Sequence, residues 1–388
     1  MREMGLRDPM LRNRTIEVTA GGSQSDYPGF TSMAIQLAVD KVTSCGGGIV
    51  RLDQGVYDVS GPIRLTDRVT LAGAGPETIL RKTDGFKSPF VVDADYGELR
   101  VEVADASGFR AGMGLQIFDD SQKWGWDEST AIITAVDGNV LRFDRHLERD
   151  YHSDDGGMAT NACSIIEAVD VEQVRVRDLA IDGNKVANEP IGGCRAGGIY
   201  LKKARDCMIE RVVVRDFNGD GISWQITEHI SVLHCDVRGC TGSGLHPGAG
   251  SHSSRVKDNT CIDNGTAGLF ICWRVQFGEF ERNVLENNAV SGISIGHKDC
   301  DNRFADNIIR GNGNGGVYFR PENASNGANR NHWLRNVIED NDGFGFLVNA
   351  GSIDNELKDN LIRDTGTGRQ AGDFWLADGA ERFLAYRE

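Results

Sequence analysis

The stretch Gly292-Ile-Ser-Ile-Gly-His-Lys-Asp299 is one copy of a unit that recurs through the second half of the chain. Its first glycine belongs to a series with successive steps of 23, 23, 24, 24, 24 and 29 residues: Gly198, Gly221, Gly244, Gly268, Gly292, Gly316 and Gly345. After each glycine, apolar and polar residues alternate over a few positions, which is typical of a β-strand. A strand-sized unit that repeats at a fixed period predicts a solenoid, in which each copy stacks on the next.

The first half of the chain predicts how this solenoid begins. Thr31–Thr43 has apolar residues near helical spacing, and short strand-like runs punctuated by glycine follow it. A helix here would cover the strand edges that are otherwise unpaired at the end of the stack. Between about residues 95 and 150, alternating segments around the hairpin signal Asp137-Gly-Asn139 predict a small antiparallel insertion.

The predicted fold is all-β: a right-handed parallel β-helix with an N-terminal capping helix and a small antiparallel β insertion. The length of 388 residues alone would suggest two domains, but a repeat fold can exceed that size. The predicted divisions are residues 1–94 for the cap and first coils, 95–152 for the insertion, 153–372 for the coils of 23–24 residues, and 373–388 for a C-terminal tail or cap.

The composition argues against several classes of partner. A net charge of −15 disfavours nucleic acid. No apolar run reaches the roughly 18 residues that cross a membrane, and residues 1–18 lack the apolar core of a signal peptide. We therefore expect no membrane association and a cytoplasmic location, or secretion if a leader has been removed. The assembly is expected to be a monomer or a homotrimer.

Cysteine and asparagine both fall on repeat positions. The nine cysteines contain no CxxC pair, and Cys235 and Cys240 take slots that later coils fill with asparagine, so we expect buried small residues and no metal site. The asparagines recur at the period of the glycines: Asn259, Asn283, Asn307, Asn336 and Asn360 in one series, and Asn264, Asn288, Asn312 and Asn341 in another. Their position predicts structural ladders of hydrogen bonds between turns rather than catalysis.

The strands that follow the glycines predict a groove. Their apolar residues are expected inside and the alternate residues outside, in columns whose members lie about 4.8 Å apart. The first outward column is Tyr200, Ser223, His246, Phe270, Ser294, Tyr318 and Leu347; the second is Lys202, Gln225, Gly248, Cys272, Gly296, Arg320 and Asn349; the third is Ala204, Thr227, Gly250, Arg274, Lys298, Glu322 and Gly351. Small residues would leave a trough beside a cluster of cations.

This combination suggests a site for an acidic saccharide. The predicted catalytic residues are His246, Lys298, Asp299, Arg320 and Glu322, and the predicted substrate-binding residues are Tyr200, Lys202, Gln225, Arg274, His297, Tyr318, Trp124 and Trp126. The two tryptophans would stack on sugar rings if the insertion leans over the groove. The alternative is a solvated face with ion pairs such as Lys298 with Glu322.

Two mechanisms fit these residues. In β-elimination or C5 epimerisation of a uronic acid, Arg274, Lys298 or Arg320 would neutralise the carboxylate, His246 would take the C5 proton, and Tyr200 or Tyr318 would donate one. In glycoside hydrolysis, Asp299 and Glu322 would flank the scissile bond. A third possibility is a non-catalytic glycan-binding or tailspike-like β-helix.

The stretches Gly46-Gly-Gly-Ile-Val-Arg-Leu52, Gly55-Val-Tyr57, Leu71-Ala-Gly-Ala-Gly75 and Leu179-Ala-Ile-Asp-Gly-Asn184 resemble the pectate-lyase-like β-helix superfamily, and especially the catalytic modules of mannuronan C5-epimerases. The resemblance implies a β-helix that acts on a polysaccharide. Those modules carry an Asp-Pro-His motif where this chain has Ser223-Trp-Gln225, and His246-Pro-Gly248 in the next coil is the nearest local substitute. No cofactor is predicted. Calcium, which is common in related lyases, is an alternative, with oxygens from Asp182, Asn184 and Asp220.

Overall fold

The computed structural model describes residues 15–121, 125–378, 380 and the backbone of 384–386. The repeats form the stacked coils of a right-handed parallel β-helix, as predicted. One face, here called the groove sheet, contains the strands that follow the repeated glycines, all paired in parallel. Its strands are Ile63–Leu65, Ile166–Val169, Ile199–Lys202, Ile222–Gln225, Leu245–Pro247, Ala267–Phe270, Ser291–Ile295, Val317–Phe319, Gly343–Val348 and Gln370–Leu376.

The other faces are two parallel ladders that the long strands Arg175–Asp182 and Met208–Arg215 join into one sheet. The remaining strands of the first ladder are Glu17–Gly21, Tyr27–Pro28, Gly48–Leu52, Val69–Ala72, Ser231–Leu233, Arg255–Lys257, Glu279–Glu281, Arg303–Ala305, His332–Leu334, Glu356–Lys358 and Leu384–Tyr386. Those of the second are Gly55–Val59, Thr78–Lys82, Asp236–Arg238, Thr260–Ile262, Val284–Glu286, Ile308–Arg310, Val337–Glu339 and Leu361–Arg363.

A helix covers the N-terminal end of the stack, as predicted. It runs over Ser32–Ser44, and the Thr31 side chain caps it by accepting the Ala34 N–H at 3.3 Å. Its buried residues Ile35, Val39 and Val42 join the core of the β-helix. A 3₁₀ turn, Lys185–Ala187, precedes the loop of residues 188–197, which covers part of the site.

The antiparallel insertion is wider than residues 95–152. Its six strands are Lys87–Pro89, Arg100–Glu102, Gly114–Phe118, Ser129–Asp137, Val140–Phe143 and Met158–Thr160. They enclose a separate core that includes Leu115, Ile117 and Leu141. The first and last of these strands along the chain, Lys87–Pro89 and Met158–Thr160, lie outside the predicted range. Each is three residues long, which is too short to show alternation in the sequence. At the C-terminal end, where a tail or cap was predicted for residues 373–388, the strands Gln370–Leu376 and Leu384–Tyr386 join the stack.

Close packing explains the repeated glycines. A β-carbon on Gly292 would lie 2.8 Å from the carbonyl oxygen of Gly316 and 2.3 Å from the Ile309 side chain, and the equivalent glycines have the same kind of neighbours. Below them run the predicted asparagine ladders, in which Asn283 Nδ2 donates to Asn307 Oδ1 at 3.0 Å. A third ladder through Asn302, Asn331 and Asn355 was missed, because it contains fewer asparagines: the preceding coil has Gly278 at the equivalent position.

Candidate functional site

The strand register confirms the first outward column of the groove sheet. Tyr200 pairs with Ser223, Ser223 with His246, and Ser294 with Tyr318. The expectation that these side chains face solvent is wrong at the N-terminal end, where Tyr200, Ser223 and His246 are at most 2% exposed. Another segment of the chain therefore covers the groove sheet at the strands that contain these three residues.

The cover is the loop of residues 188–197, here called the covering loop. The Tyr200 hydroxyl donates to the Cys194 carbonyl at 2.6 Å, and Ser223 Oγ donates to the Gly193 carbonyl at 2.6 Å. The Gly192 N–H donates to Glu128 of the insertion at 2.6 Å. Tyr200, predicted to bind substrate, is therefore a buried anchor for this loop.

Beyond the loop lies a pocket of about 580 Å³. Its lining includes residues of the insertion and covering loop (Trp126, Gly193, Cys194), of the columns (Gln225, His246, Phe270, Cys272, Ser294, Tyr318, Arg320), and Asp220 and Trp273 near the turns. The insertion thus leans over the groove, and Trp126 lies against it as predicted. Trp124 lies outside the described residues.

The centre of the pocket is a buried histidine–carboxylate pair. His246 Nδ1 lies 2.6 Å from Asp220 Oδ2, and Asp220 Oδ1 accepts the Ser243 N–H at 2.6 Å. Gln225 Nε2 lies 3.5 Å from His246 Nε2, and Phe270 packs edge-on against the imidazole at 4.9 Å. The carboxylate fixes the orientation of the ring and leaves Nε2 as the reactive nitrogen.

The surroundings of His246 favour its charged form. Burial lowers the pKa of His246, but the hydrogen bonds to Asp220 and Cys272 outweigh burial and raise that pKa to about 9. From the sequence, Asp220 is predicted only as a possible calcium ligand. The glycine register contains the missing signal, because Asp220 directly precedes Gly221 and His246 follows Gly244 by two positions in the next coil.

Arg320 brings a guanidinium to the pocket wall, as its column position predicts. Its guanidinium donates to Ser294 Oγ at 2.9 Å and to the Ile271 carbonyl at 2.8 Å, and it lies over the Phe270 ring at 4.8 Å. Nη2 also lies 3.2 Å from Asp299 Oδ2. These contacts hold a positive charge beside Tyr318 on the pocket wall.

Asp299 was predicted as a catalytic carboxylate. This prediction is wrong, because the Asp299 side chain does not reach the groove. It is fully buried, and its two oxygens accept the Val275 N–H at 3.0 Å and the Gly296 N–H at 2.9 Å. Burial raises the pKa of Asp299 to about 6, against the opposing charge of Arg320. The residue ties one turn to the next, because the strand ends before it and its side chain turns inward.

The remaining predicted residues lie outside the pocket lining. Glu322 accepts from His297 Nδ1 at 3.3 Å, and the His297 ring contacts Trp273 at 5.1 Å, so this pair lies behind the tryptophan. Arg274 and Lys298 are exposed on left-handed turns with φ of 66° and 57°. Lys202 lies against the Trp126 ring at 5.4 Å. Over the described part of its lining, the predicted cationic trough is therefore a largely apolar pocket with one arginine.

The predicted calcium ligands do not come together. Asp182 accepts the Asn184 N–H and lies 3.5 Å from Arg81, whereas Asp220 is bonded to His246 in the pocket. Within the described ranges, no three His, Cys, Asp or Glu side chains form a metal-binding group. In the same ranges, no helix is long and apolar enough to cross a membrane. All nine cysteines are free thiols, and Cys235 and Cys240 are buried at the head of the asparagine ladders, as predicted.

Comparisons with known proteins agree with this architecture. A family model described as "Right handed beta helix region" matches residues 168–332. The chain is 24% identical to mannuronan C5-epimerase AlgE5 of Azotobacter vinelandii over 303 residues, which are 77% of this chain and 22% of that protein. It is also 24% identical to alginate lyase 7 of the same organism over 278 residues, 71% of this chain and 22% of the lyase. The chain thus spans about a fifth of the length of these relatives.

A solved structure gives the same result for the fold. The A-module of mannuronan C5-epimerase AlgE6 from Azotobacter vinelandii superposes with a TM-score of 0.54 at 16% identity, covering 92% of this chain and 95% of that module. Identity at this level supports the fold but not the site. The chain is a right-handed parallel β-helix similar in architecture to the mannuronan C5-epimerase modules.

Proposed function

We propose that the protein is an enzyme that removes the C5 proton of a uronic acid residue in an acidic saccharide, by β-elimination or C5 epimerisation. The observation that carries this proposal is the buried Asp220–His246 pair in a pocket that also presents Arg320 and Tyr318. A histidine oriented by a carboxylate is a suitable proton acceptor, and an arginine is a suitable partner for the substrate carboxylate.

The chemistry assigns one role to each group. Arg320 neutralises the uronate carboxylate, which makes the C5 proton more acidic. His246 takes that proton through Nε2, and Asp220 balances the imidazolium charge. In elimination, the electron pair left at C5 forms a double bond to C4, the C4–O bond breaks, and the departing oxygen takes a proton from Tyr318. In epimerisation, Tyr318 donates a proton to C5 on the opposite face and is then reprotonated by solvent.

The number of carboxylates that line the pocket supports proton abstraction rather than glycoside hydrolysis. A glycosidase of the usual kind needs two carboxyl groups on either side of the scissile bond. Among the described lining residues, Asp220 is the only carboxylate, and both of its oxygens are already hydrogen-bonded. The names of the relatives, mannuronan epimerases and an alginate lyase, support a polyuronide such as mannuronan as the first substrate to test.

We expect the protein to exchange the C5 hydrogen of a polyuronide with solvent. The test incubates the protein with polymannuronate, polyguluronate, polygalacturonate and neutral glycans in D₂O. Deuterium at C5 of recovered polymer indicates epimerisation, and ultraviolet absorbance of an unsaturated end group indicates elimination. New reducing ends without either signal would contradict the proposal in favour of hydrolysis, and retention of a glycan without any product would indicate a binding protein.

The proposed role of His246 also predicts the pH dependence of the reaction. A base must be neutral to accept a proton, and the pKa of His246 is raised to about 9. We therefore expect kcat/KM to rise with pH by about tenfold per unit and to level off above pH 9. Because the Cys272 hydrogen bond helps to raise this pKa, Cys272→Ala should move the midpoint to lower pH.

The matched control for this shift is Cys261→Ala. Cys261 is equally free of disulfide bonds but is buried in a ladder strand and does not line the pocket. Its replacement should leave the pH profile unchanged. A profile that is flat between pH 6 and 10, or that moves equally in both variants, would contradict the assignment of His246 as the base.

A further inference from the structure

The groove is closed at its N-terminal end by a wall that is firmly attached. Arg195 of the covering loop is 9% exposed, and its guanidinium donates to the Trp126 carbonyl at 2.6 Å and to Glu148 of the insertion at 2.8 Å. Ile191 of the same loop packs in the core of the β-helix. The loop therefore joins the insertion to the solenoid across the groove.

The wall stands directly beside the histidine. A β-carbon on Gly193 would lie 1.6 Å from Asp220 Oδ2 and 2.8 Å from His246 Nδ1, so only glycine allows the loop to approach this closely. On the N-terminal side, the next rung holds Ser223 and Gln225, which are buried and donate to the Gly193 carbonyl. Among the residues that the structure describes, these contacts leave no space for a sugar chain to continue past His246 in this direction along the groove.

The other end of the groove is open. Beyond the pocket, the first column continues from Tyr318 to Leu347 and then to Trp375, in register. Tyr318 and Leu347 are half-buried, and Trp375 is 41% exposed. Apolar and aromatic side chains of this kind form a track on which sugar rings can stack, one rung after another.

We propose that the pocket receives the end of a saccharide chain, so that the protein acts on a terminal residue or on short oligosaccharides rather than along the middle of a polymer. The identity of the sugar as a uronic acid rests on the proposed function, whereas end recognition rests on the covering loop. One chain end lies against Gly193 and Cys194, and the remainder leaves over Tyr318, Leu347 and Trp375.

Oligosaccharides blocked at one end test this geometry in the wild-type protein. Oligouronides and neutral oligosaccharides of the same length would carry a bulky fluorophore at either the reducing or the non-reducing end, and binding would be followed by anisotropy. We expect the oligosaccharide labelled at one end to bind, and the oligosaccharide labelled at the other end to bind with at least about tenfold lower affinity. Competition by the unlabelled oligosaccharide shows that binding is through the sugar.

Each outcome of this experiment decides between alternatives. Equal affinity for both label positions, or loss of binding at both, would overturn end recognition. A preference for neutral sugars would overturn the uronate assignment, while the two label positions would still decide end recognition. Absence of binding by every oligosaccharide would overturn both proposals.

The open track is tested by Trp375→Ala, because this exposed side chain lies five coils from His246 and outside the pocket lining. The variant should bind a long oligosaccharide several-fold more weakly than the wild type and a disaccharide equally well. Equal affinity of both proteins for the long oligosaccharide would contradict the track.

Discussion

Replacement of His246 by Gln is expected to reduce C5 proton exchange by about 10²- to 10⁴-fold, the usual contribution of a general base. Gln can still form a hydrogen bond to Asp220 but cannot accept a proton at neutral pH. The expected loss is in kcat, with a smaller change in KM, because His246 acts on the proton and Arg320 meets the carboxylate. Initial rates of deuterium incorporation or absorbance change at several substrate concentrations measure both quantities.

His252→Gln is the matched control. His252 lies in the turn that follows the same strand, is half-buried, and contacts Phe277 rather than the pocket. We expect its replacement to leave the rate within about twofold of the wild type, as for a side chain that does not touch substrate. A His246→Gln protein that folds, as judged by circular dichroism, and retains the wild-type rate would contradict the proposed mechanism.

The repeat made the fold predictable because one physical requirement recurs in each coil. Gly292 and its equivalents allow the coils to approach one another, and Asn307 and its equivalents satisfy the turns, so both residue types appear at the repeat period. The same register placed His246, Tyr318 and Arg320 on one face. The positions of these residues follow from the stacking of one coil on the next, so they can be predicted from the period of the repeat.

The repeat does not predict which part of the groove is covered by other segments of the chain. Tyr200 occupies an outward position but is buried, because the covering loop and the insertion are contributed by segments that follow no period. Asp299 directly follows Lys298 of the third column, but the strand ends at Ile295, and the turn beyond it buries the Asp299 side chain. Only long-range contacts, such as that between Gly192 and Glu128, distinguish an open trough from a closed pocket.

Replacement of Asn307 by Ala is expected to lower the free energy of unfolding by at least about 3 kcal/mol, because buried polar groups would lose their partners. Asn307 Oδ1 accepts from the N–H and Nδ2 of Asn283 at 2.9 and 3.0 Å, and its Nδ2 donates to the Phe280 carbonyl and to Asn336 Oδ1, each at 2.9 Å. The side chain is 1% exposed, so water cannot replace these bonds without opening the stack. Urea unfolding followed by circular dichroism measures the change.

The control for this prediction is Arg310→Ala in the same coil. Arg310 is exposed and forms a 3.0 Å ion pair with Glu286, so its loss should cost less than about 1 kcal/mol. Because each coil contacts mainly its two neighbours, a broken ladder at Asn307 should also weaken the coils that contain Asn283 and Asn336. Hydrogen exchange of their amide protons should therefore accelerate in Asn307→Ala and not in Arg310→Ala. Equal unfolding free energies for the two variants would show that the asparagine ladder does not stabilise the stack.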